Sequence, residues 1–523
     1  MIRGNKSIVF GEGRGLEKIC NIQGCKRNTF EDSNECILHC NKINYNFVFE
    51  SEEVQRNFYD ELINYLIEIV KEEKLRNPKK DIDDLVSYLK ENSSKETFLE
   101  HNKDKYFKLN YIFFPELGIS KFNYLNILKN FDSLHFNKCK FVVNKLDLGK
   151  ARVFYDGCVF CSQWNIISTN LLEEKNNVIY QNCTFRDQVQ VFKLDNEDGV
   201  IDYSLFHDCS FDVALNLHGM TFKSELFNNS SKKEQSLPLL SIDNCTFEQN
   251  FILNKLIADC LVIKDAYFLS KVEIKNSEIH IFNLENTNFH GLFDAYGSKF
   301  GEFKAFKSIF RDFVGFELCK FSVLQEDFIS KVAVFQYVTF LSFTNFRNTI
   351  FYGGLNLEDA NLKEPPNFLN IELKSNNTNR ETLRIIKDSF DRVGNHIEAN
   401  KFFVLEMEEY KRELHTKSKE GERSFQERFI YWFNENTSCF GQSYVLPIYW
   451  IFILTSMYSI TVHMHKEKQW NLGIWGLDYI AQYLTPFKDA LVPGMEAVSV
   501  IFYIILSTLI WQTIVAVKRY TKR

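Results

Sequence analysis

The chain carries a formal net charge of −6 and has no long basic stretch, so contacts that neutralise nucleic-acid phosphates are not expected. Met1 to Phe10 lacks an apolar signal-peptide core, which predicts that the N-terminal part is not exported. No glycine-rich loop ends in Gly-Lys-Ser/Thr, and neither Gly-x-Ser-x-Gly nor His-Glu-x-x-His occurs; Gly11, Gly13 and Gly15 form a weak glycine cluster without a preceding buried strand. Eleven His in 523 residues leave little material for general-base work. The expectation is a protein that is not an enzyme. Thirteen Cys without a secretion signal point to a reducing compartment.

What the chain has is phenylalanine, 51 of them. Between residues 131 and 362 many of them close one repeated pattern: a small residue, any residue, then a large apolar one. It reads Cys139-Lys140-Phe141, Cys158-Val159-Phe160, Cys183-Thr184-Phe185, Cys209-Ser210-Phe211 and Cys245-Thr246-Phe247. It continues through Ala266-Tyr267-Phe268, Ser277-Glu278-Ile279, Thr287-Asn288-Phe289, Ser298-Lys299-Phe300, Ser308-Ile309-Phe310 and Cys319-Lys320-Phe321, and closes at Thr349-Ile350-Phe351 and Ala360-Asn361-Leu362. Helices need apolar positions three and four apart, and strands need alternation; neither fits. Units of five, with the large residue inward and the small one in a narrow corner, fit a rectangular coil whose turns stack at about 4.8 Å. Phe300 and Phe321 then lie one above the other. Six of the eight Cys between 139 and 319 occupy the corner and read as packing residues. The frame breaks near 165–180, 195–205, 223–240 and 324–333, where loops leave the coil.

These units resemble the pentapeptide-repeat family, which centres on Phe or Leu with Ala, Cys, Ser or Thr two places before. The resemblance implies a mainly β fold, a right-handed quadrilateral β-helix, and members that bind partners or imitate their shapes.

Near the front, Cys20 and Cys25 are followed by Cys36, His39 and Cys40. Two close pairs of soft ligands about ten residues apart match a structural zinc site, and the polar stretch 26–35 cannot make a core of its own. The spacing resembles small bacterial zinc knuckles, Cys-x4-Cys then Cys-x2-His, which implies Cys20, Cys25, Cys36 and His39 as ligands; Cys40 competes with His39 for the fourth place. Amphipathic helices are expected over 52–75, with Leu62, Tyr65, Leu66 and Ile69 on one face, and over 80–91. Their role is to cover the open first coil.

At the far end, 444–462 and 497–517 are apolar runs close to the ~20 residues that cross a bilayer as a helix. Lys518, Arg519, Lys522 and Arg523 follow the second, and Arg423 and Arg428 precede the first, while 464–496 is nearly balanced in charge. The positive-inside rule then predicts a two-span protein of the cell inner membrane with both termini in the cytoplasm. The connector holds Trp470, Trp475 and Tyr483 among aliphatics, the makings of an interfacial helix. Thr378-Asn379-Arg380-Glu381 reads as a capping box that opens a helical linker. Residues 384–410, Phe440-Gly441-Gln442-Ser443 and the terminal basic run resemble segments of bacterial membrane-attached pentapeptide-repeat proteins.

The expected organisation is 1–50 zinc knuckle, 51–130 helical cap, 131–370 β-helix, 371–440 helical linker and 441–523 two-span hairpin. The expected function is a membrane-anchored scaffold that docks a protein partner on the β-helix. The alternative is an oligomeric two-span channel with a cytoplasmic β-helix, which would require self-association.

Overall fold

The computed structural model describes residues 18–43, 51–76, 106–117, 121–149, 151–166, 170–171, 178–193, 199–228, 234–323, 331–374, 377–419, 425–467, 483–484 and 491–521. Its centre is a parallel β-solenoid of about ten turns. One turn in the regular region comprises Tyr267–Phe268, Val272–Glu273 and the two halves of Glu278–Glu285, which bend at His280. Each strand pairs in parallel with its equivalent on the turns before and after, such as Phe268 with Phe289 and Ile279 with Phe300. The repeat is 21 residues, as Ser277 bonded to Ser298 shows. The ten-or-eleven step of the sequence therefore divides into two columns, 268–289–310 on one side and 279–300–321 on another.

The inward rings fill the axis. Phe268 and Phe289 stack at 5.0 Å and 4°, and Phe289 and Phe310 at 4.6 Å and 2°. A second column runs Phe141, Phe160, Phe185, Phe211 with spacings of 5.0, 4.6 and 5.1 Å. Stacked pairs contribute about 0.5–1.5 kcal/mol each beyond their burial.

The small corner residues do more than fit. The Ser277 hydroxyl accepts from Leu256 N and that of Ser298 accepts from Ser277 N, both at 3.0 Å, while Ser298 Oγ donates to the Ile274 carbonyl at 2.5 Å. Cys158 and Cys183 thiols donate to the Phe136 and Tyr155 carbonyls of the turn before, at 3.2 and 3.4 Å. The corner thus favours Cys, Ser or Thr because each satisfies main-chain groups that the ladder leaves over at the bend.

The residue before each corner is the part of the pattern not evident in advance. Asn182, Asp208, Asn244, Asp265, Asn276, Asn286, Asn348, Asp359 and Asn370 all have φ between 48° and 58°. This left-handed conformation suits Asn, Asp and Gly and costs other residues about 1–2 kcal/mol. Lys138, Lys307, Leu318 and Tyr337 occupy it against that preference.

The expected breaks are present but shorter. Turns lengthen to 25 residues between Gln163 and Gln188 and to 26 between Thr184 and Ser210. Within the stretches expected as loops, Trp164–Ile166, Val178–Gln181, Val200–Ile201, Gln235–Ser236 and Leu239–Asp243 are strands that return to register. Main-chain pairing overrides the lost five-residue frame there.

Both ends of the stack are covered by helices. At the first turn lies α1, Glu52–Arg76, with Phe58, Leu62, Ile63 and Leu66 buried. Tyr65 and Ile69, expected on the same face, pack against that core partly buried. A short helix, α2, spans Leu125–Leu128. The expected helix over 80–91 lies outside the described residues. At the last turn lie α3, Arg380–Arg392, and α4, His396–Lys419. The capping box is corrected by one residue: Asn379 is the N-cap and accepts from Thr382 N at 2.9 Å. Thr378 serves the solenoid, where its hydroxyl accepts from Leu355 N at 3.1 Å. Thr382 Oγ1 takes Leu357 N at 2.8 Å and Glu381 takes Asp359 N at 3.4 Å. The first turn of α3 thereby satisfies donors of the terminal coil. Leu383, Ile386 and Phe390 close the core above it.

Next come α5, Phe425–Ser438, and the apolar helices α6, Val445–Glu467, and α7, Glu496–Thr521. Tyr458 of α6 stacks on Phe502 of α7 at 3.8 Å, and its hydroxyl meets Ser499 at 2.9 Å. Of the expected connector helix, Trp470 and Trp475 lie outside the described residues, while Tyr483 packs on Tyr458 at 5.4 Å.

Phe300 is fully buried, so Phe300→Ala should cost about 3–5 kcal/mol of solenoid stability. Leu318 has φ 60° and is 43% exposed, so Leu318→Asn should instead stabilise by up to about 1 kcal/mol. Melting of the β signal by circular dichroism, with the full chain in detergent, checks both signs.

Candidate metal centre

The front of the chain folds as two short pieces that meet. Ile19 bridges Asn28 in an antiparallel hairpin, and Cys20 N bonds the Arg27 carbonyl at 2.9 Å. The hairpin turns at Gly24, whose φ of +85° favours glycine and places Cys25 opposite Cys20. Residues 36–40 then form one helical turn, with His39 N and Cys40 N both bonded to the Cys36 carbonyl at 2.9 Å. That turn sets Cys36 and His39 on one side, three residues apart.

The ligand atoms of Cys20, Cys25, Cys36 and His39 all lie within 4.8 Å of one another. Cys25 Sγ is 3.8 Å from Cys36 Sγ, and His39 Nδ1 is 3.4 Å from Cys20 Sγ and 3.2 Å from Cys36 Sγ. A tetrahedral ion with metal–sulfur bonds of about 2.3 Å and a metal–nitrogen bond of about 2.0 Å requires edges of about 3.8 and about 3.6 Å. The four residues can therefore bind a metal ion with little movement.

The surroundings hold His39 in its ligating form and set the cysteines against ionising without a cation. Burial, with Lys42 and Arg27 adding their charges, pulls His39 down to about 4, which keeps the imidazole neutral. Its ring also bonds the Asn110 main chain, an outer contact of the kind that orients metal-bound histidines. Burial, with negative charge at Cys25 and Cys20, pushes the Cys36 thiol up to about 12. Three thiolates packed this closely need a cation among them.

Cys40 is not part of this cluster. Its thiol faces the Ile37 carbonyl at 3.8 Å and receives Lys42 Nζ at 3.4 Å. Lys42 is buried and also bonds the Ile37 and Cys40 carbonyls at 2.7 and 3.0 Å, beneath the rings of Phe58 and Phe113. Burial lowers it to about 8 and raises Cys40. Sequence reasoning did not find Lys42, because nothing in a lysine two places after a cysteine marks it as interior.

The cluster is locked to the rest of the cap. Arg27 bonds Glu61 and Glu68 of α1 at 3.0 and 2.7 Å. Phe113 N bonds the Leu38 carbonyl at 2.8 Å, and Asn110 N bonds the Tyr65 hydroxyl at 3.1 Å. The arrangement offers four protein donors and no vacant ligand position, which suits a structural centre better than a catalytic one.

The full chain purified without chelator should contain one metal atom. Cys25→Ser should lose it, whereas Cys40→Ser should keep it; elemental analysis by mass spectrometry checks both.

No described protein family, curated protein or solved structure matches this chain. It stands on its own geometry: a parallel β-solenoid with a Cys3His cluster at one end and two apolar helices at the other.

Proposed function

We propose that this chain is a membrane-anchored, non-enzymatic interaction protein. Its solenoid is of the pentapeptide-repeat type, its metal is structural zinc, and it docks a protein partner on its walls in the cytoplasm, at the inner face of a bacterial inner membrane. The observation that carries this reading is continuity. One hydrophobic core runs from Cys20 and α1 through the Phe columns to Phe390 and Phe402 of the last helices. Those helices are tied to the apolar pair: the Arg519 guanidinium of α7 lies 5.0 Å from the Phe403 ring of α4, and α7 also holds α5, with Gln512 Nε2 donating to Asn434 Oδ1 at 3.1 Å and Arg519 donating to the Phe440 carbonyl that follows α5. Lys411 also pairs with Glu435 at 2.6 Å. A rod joined to its anchor in this way holds its walls at a fixed orientation to the bilayer. Because stacked rings fill its axis, the outer walls are the surface that a partner meets.

The membrane part of the reading rests on surface chemistry. Only 33% of the apolar window of each long helix is buried. Ile448, Phe452 and Met457 of α6 and Ile501, Ile504 and Ile514 of α7 are exposed. A soluble helical pair would not present such a surface, and lipid covers it without cost. Lys518 and Arg519 end α7, which favours both chain ends inside.

Single cysteines at Lys401, exposed on α4, and at Gln469 in the connector test the orientation, with the exposed Cys439 replaced by Ser. A membrane-impermeant thiol reagent on intact cells should label Gln469→Cys and spare Lys401→Cys. Labelling of Lys401→Cys above the parent protein would place the solenoid outside.

A further inference from the structure

Helix α5 turns most of its large apolar side chains outward. The face that meets its neighbours is largely polar: Asn434 receives Gln512, Glu435 pairs with Lys411, and Thr437 and Ser438 are buried beside Tyr431. Its outward side is aromatic: Phe425 is 79% exposed and Trp432 is 57% exposed, with Phe429 between them at 6.2 Å from Trp432. In water, a helix buries its apolar stripe and exposes its polar one. A row of exposed aromatics such as Phe425, Phe429 and Trp432 is stable where the outside is apolar.

The location agrees. Trp450, in the second turn of α6, donates its indole N–H to the Asn436 carbonyl at 2.8 Å, so the end of α5 lies beside the start of the first apolar helix. The exposed aromatic face of α5 continues into exposed Val445, Ile448 and Tyr449. Between α4 and α5 is a cavity of about 570 Å³ whose lining includes Lys411, His415 and Arg428 together with Phe425, Phe429, Tyr431 and Trp432. Glu435, which pairs with Lys411, also lines it. Cations beside a cluster of aromatic rings match the two chemistries of a phospholipid, its phosphate and its acyl chains.

We propose that α5 lies in the headgroup–acyl boundary of the leaflet on the solenoid side, with Phe425, Phe429 and Trp432 among the acyl chains and an anionic phospholipid's phosphate held by Lys411 and Arg428. This rests on the reading that α6 and α7 span the bilayer, and the experiment separates the two. The full chain is reconstituted in vesicles of mixed phosphatidylcholine and phosphatidylglycerol. A photo-crosslinking p-benzoylphenylalanine replaces Phe429 or, separately, Ile504 on the exposed face of α7. Both positions should give lipid adducts. Those at Phe429 should be enriched in phosphatidylglycerol by about fivefold over the bulk bilayer, and Lys411→Gln with Arg428→Gln should abolish the enrichment. Lipid adducts at Ile504 with none, or with protein adducts, at Phe429 would overturn the placement of α5 and leave the spans intact. Adducts at Phe429 that match the bulk composition would overturn the phosphate site. No lipid adduct at either position would overturn the spanning reading and this inference with it.

Discussion

In-register stacking of one turn on the next is the constraint on which everything else depends. In a solenoid each main-chain N–H is satisfied by the adjacent turn, so the interior is self-consistent at any length while the two end turns are left with open donors or acceptors and an uncovered core. The chain order follows from this. A Cys/His cluster and α1 cover the first coil, and α3 covers the last with the Thr378 and Thr382 hydroxyls and the Glu381 carboxylate set against its free N–H groups. The metal centre is part of the same solution: residues 18–43 hold too little apolar surface to fold alone, and four ligands converging at 4.8 Å or less supply the missing order.

The stack also explains which residues were legible in the sequence. Phe268, Ile279, Phe289 and Phe300 keep strict spacing because each must lie over its equivalent, so periodicity revealed both the fold and the two inward columns. Cys20, Cys25, Cys36 and His39 were legible for a similar reason: a chelate fixes both ligand type and spacing. The residues at left-handed corners were not found, although Asn182, Asp208, Asn244 and Asp265 are the residue types that conformation favours. Their identity varies because the constraint is a preference of about 1–2 kcal/mol and not a steric veto, so Lys307 and Tyr337 break the pattern. The exchange of roles between Thr378 and Asn379 was equally hidden. A sequence shows two adjacent capping residues, and only the nearness of the last coil decides that Asn379 caps the helix while Thr378 caps the solenoid.

The C-terminal helices distribute their side chains differently. The solenoid buries rings and exposes polar ladders such as Lys275 between Glu273 and Asp294. Helix α5 sets Asn434, Glu435 and the buried Tyr431 against its neighbours and exposes Phe425, Phe429 and Trp432. Composition alone does not separate these cases, since α5 carries five aromatic residues among polar and charged ones. The direction in which its aromatics face is a tertiary property, fixed by α4 and α7.

The central claim is that the rod is a one-dimensional stack whose ends depend on their caps. Hydrogen exchange of the full chain, in the same detergent throughout, tests it through Thr382→Val, which removes the acceptor of Leu357 N while leaving the Thr382 N–H to Asn379. The account predicts faster exchange confined to the last turns, about Leu355 to Asp359, with the turns at Phe268 to Phe310 as slow as in the parent. Exchange that rises equally in every turn, or does not change near Leu357, would contradict it.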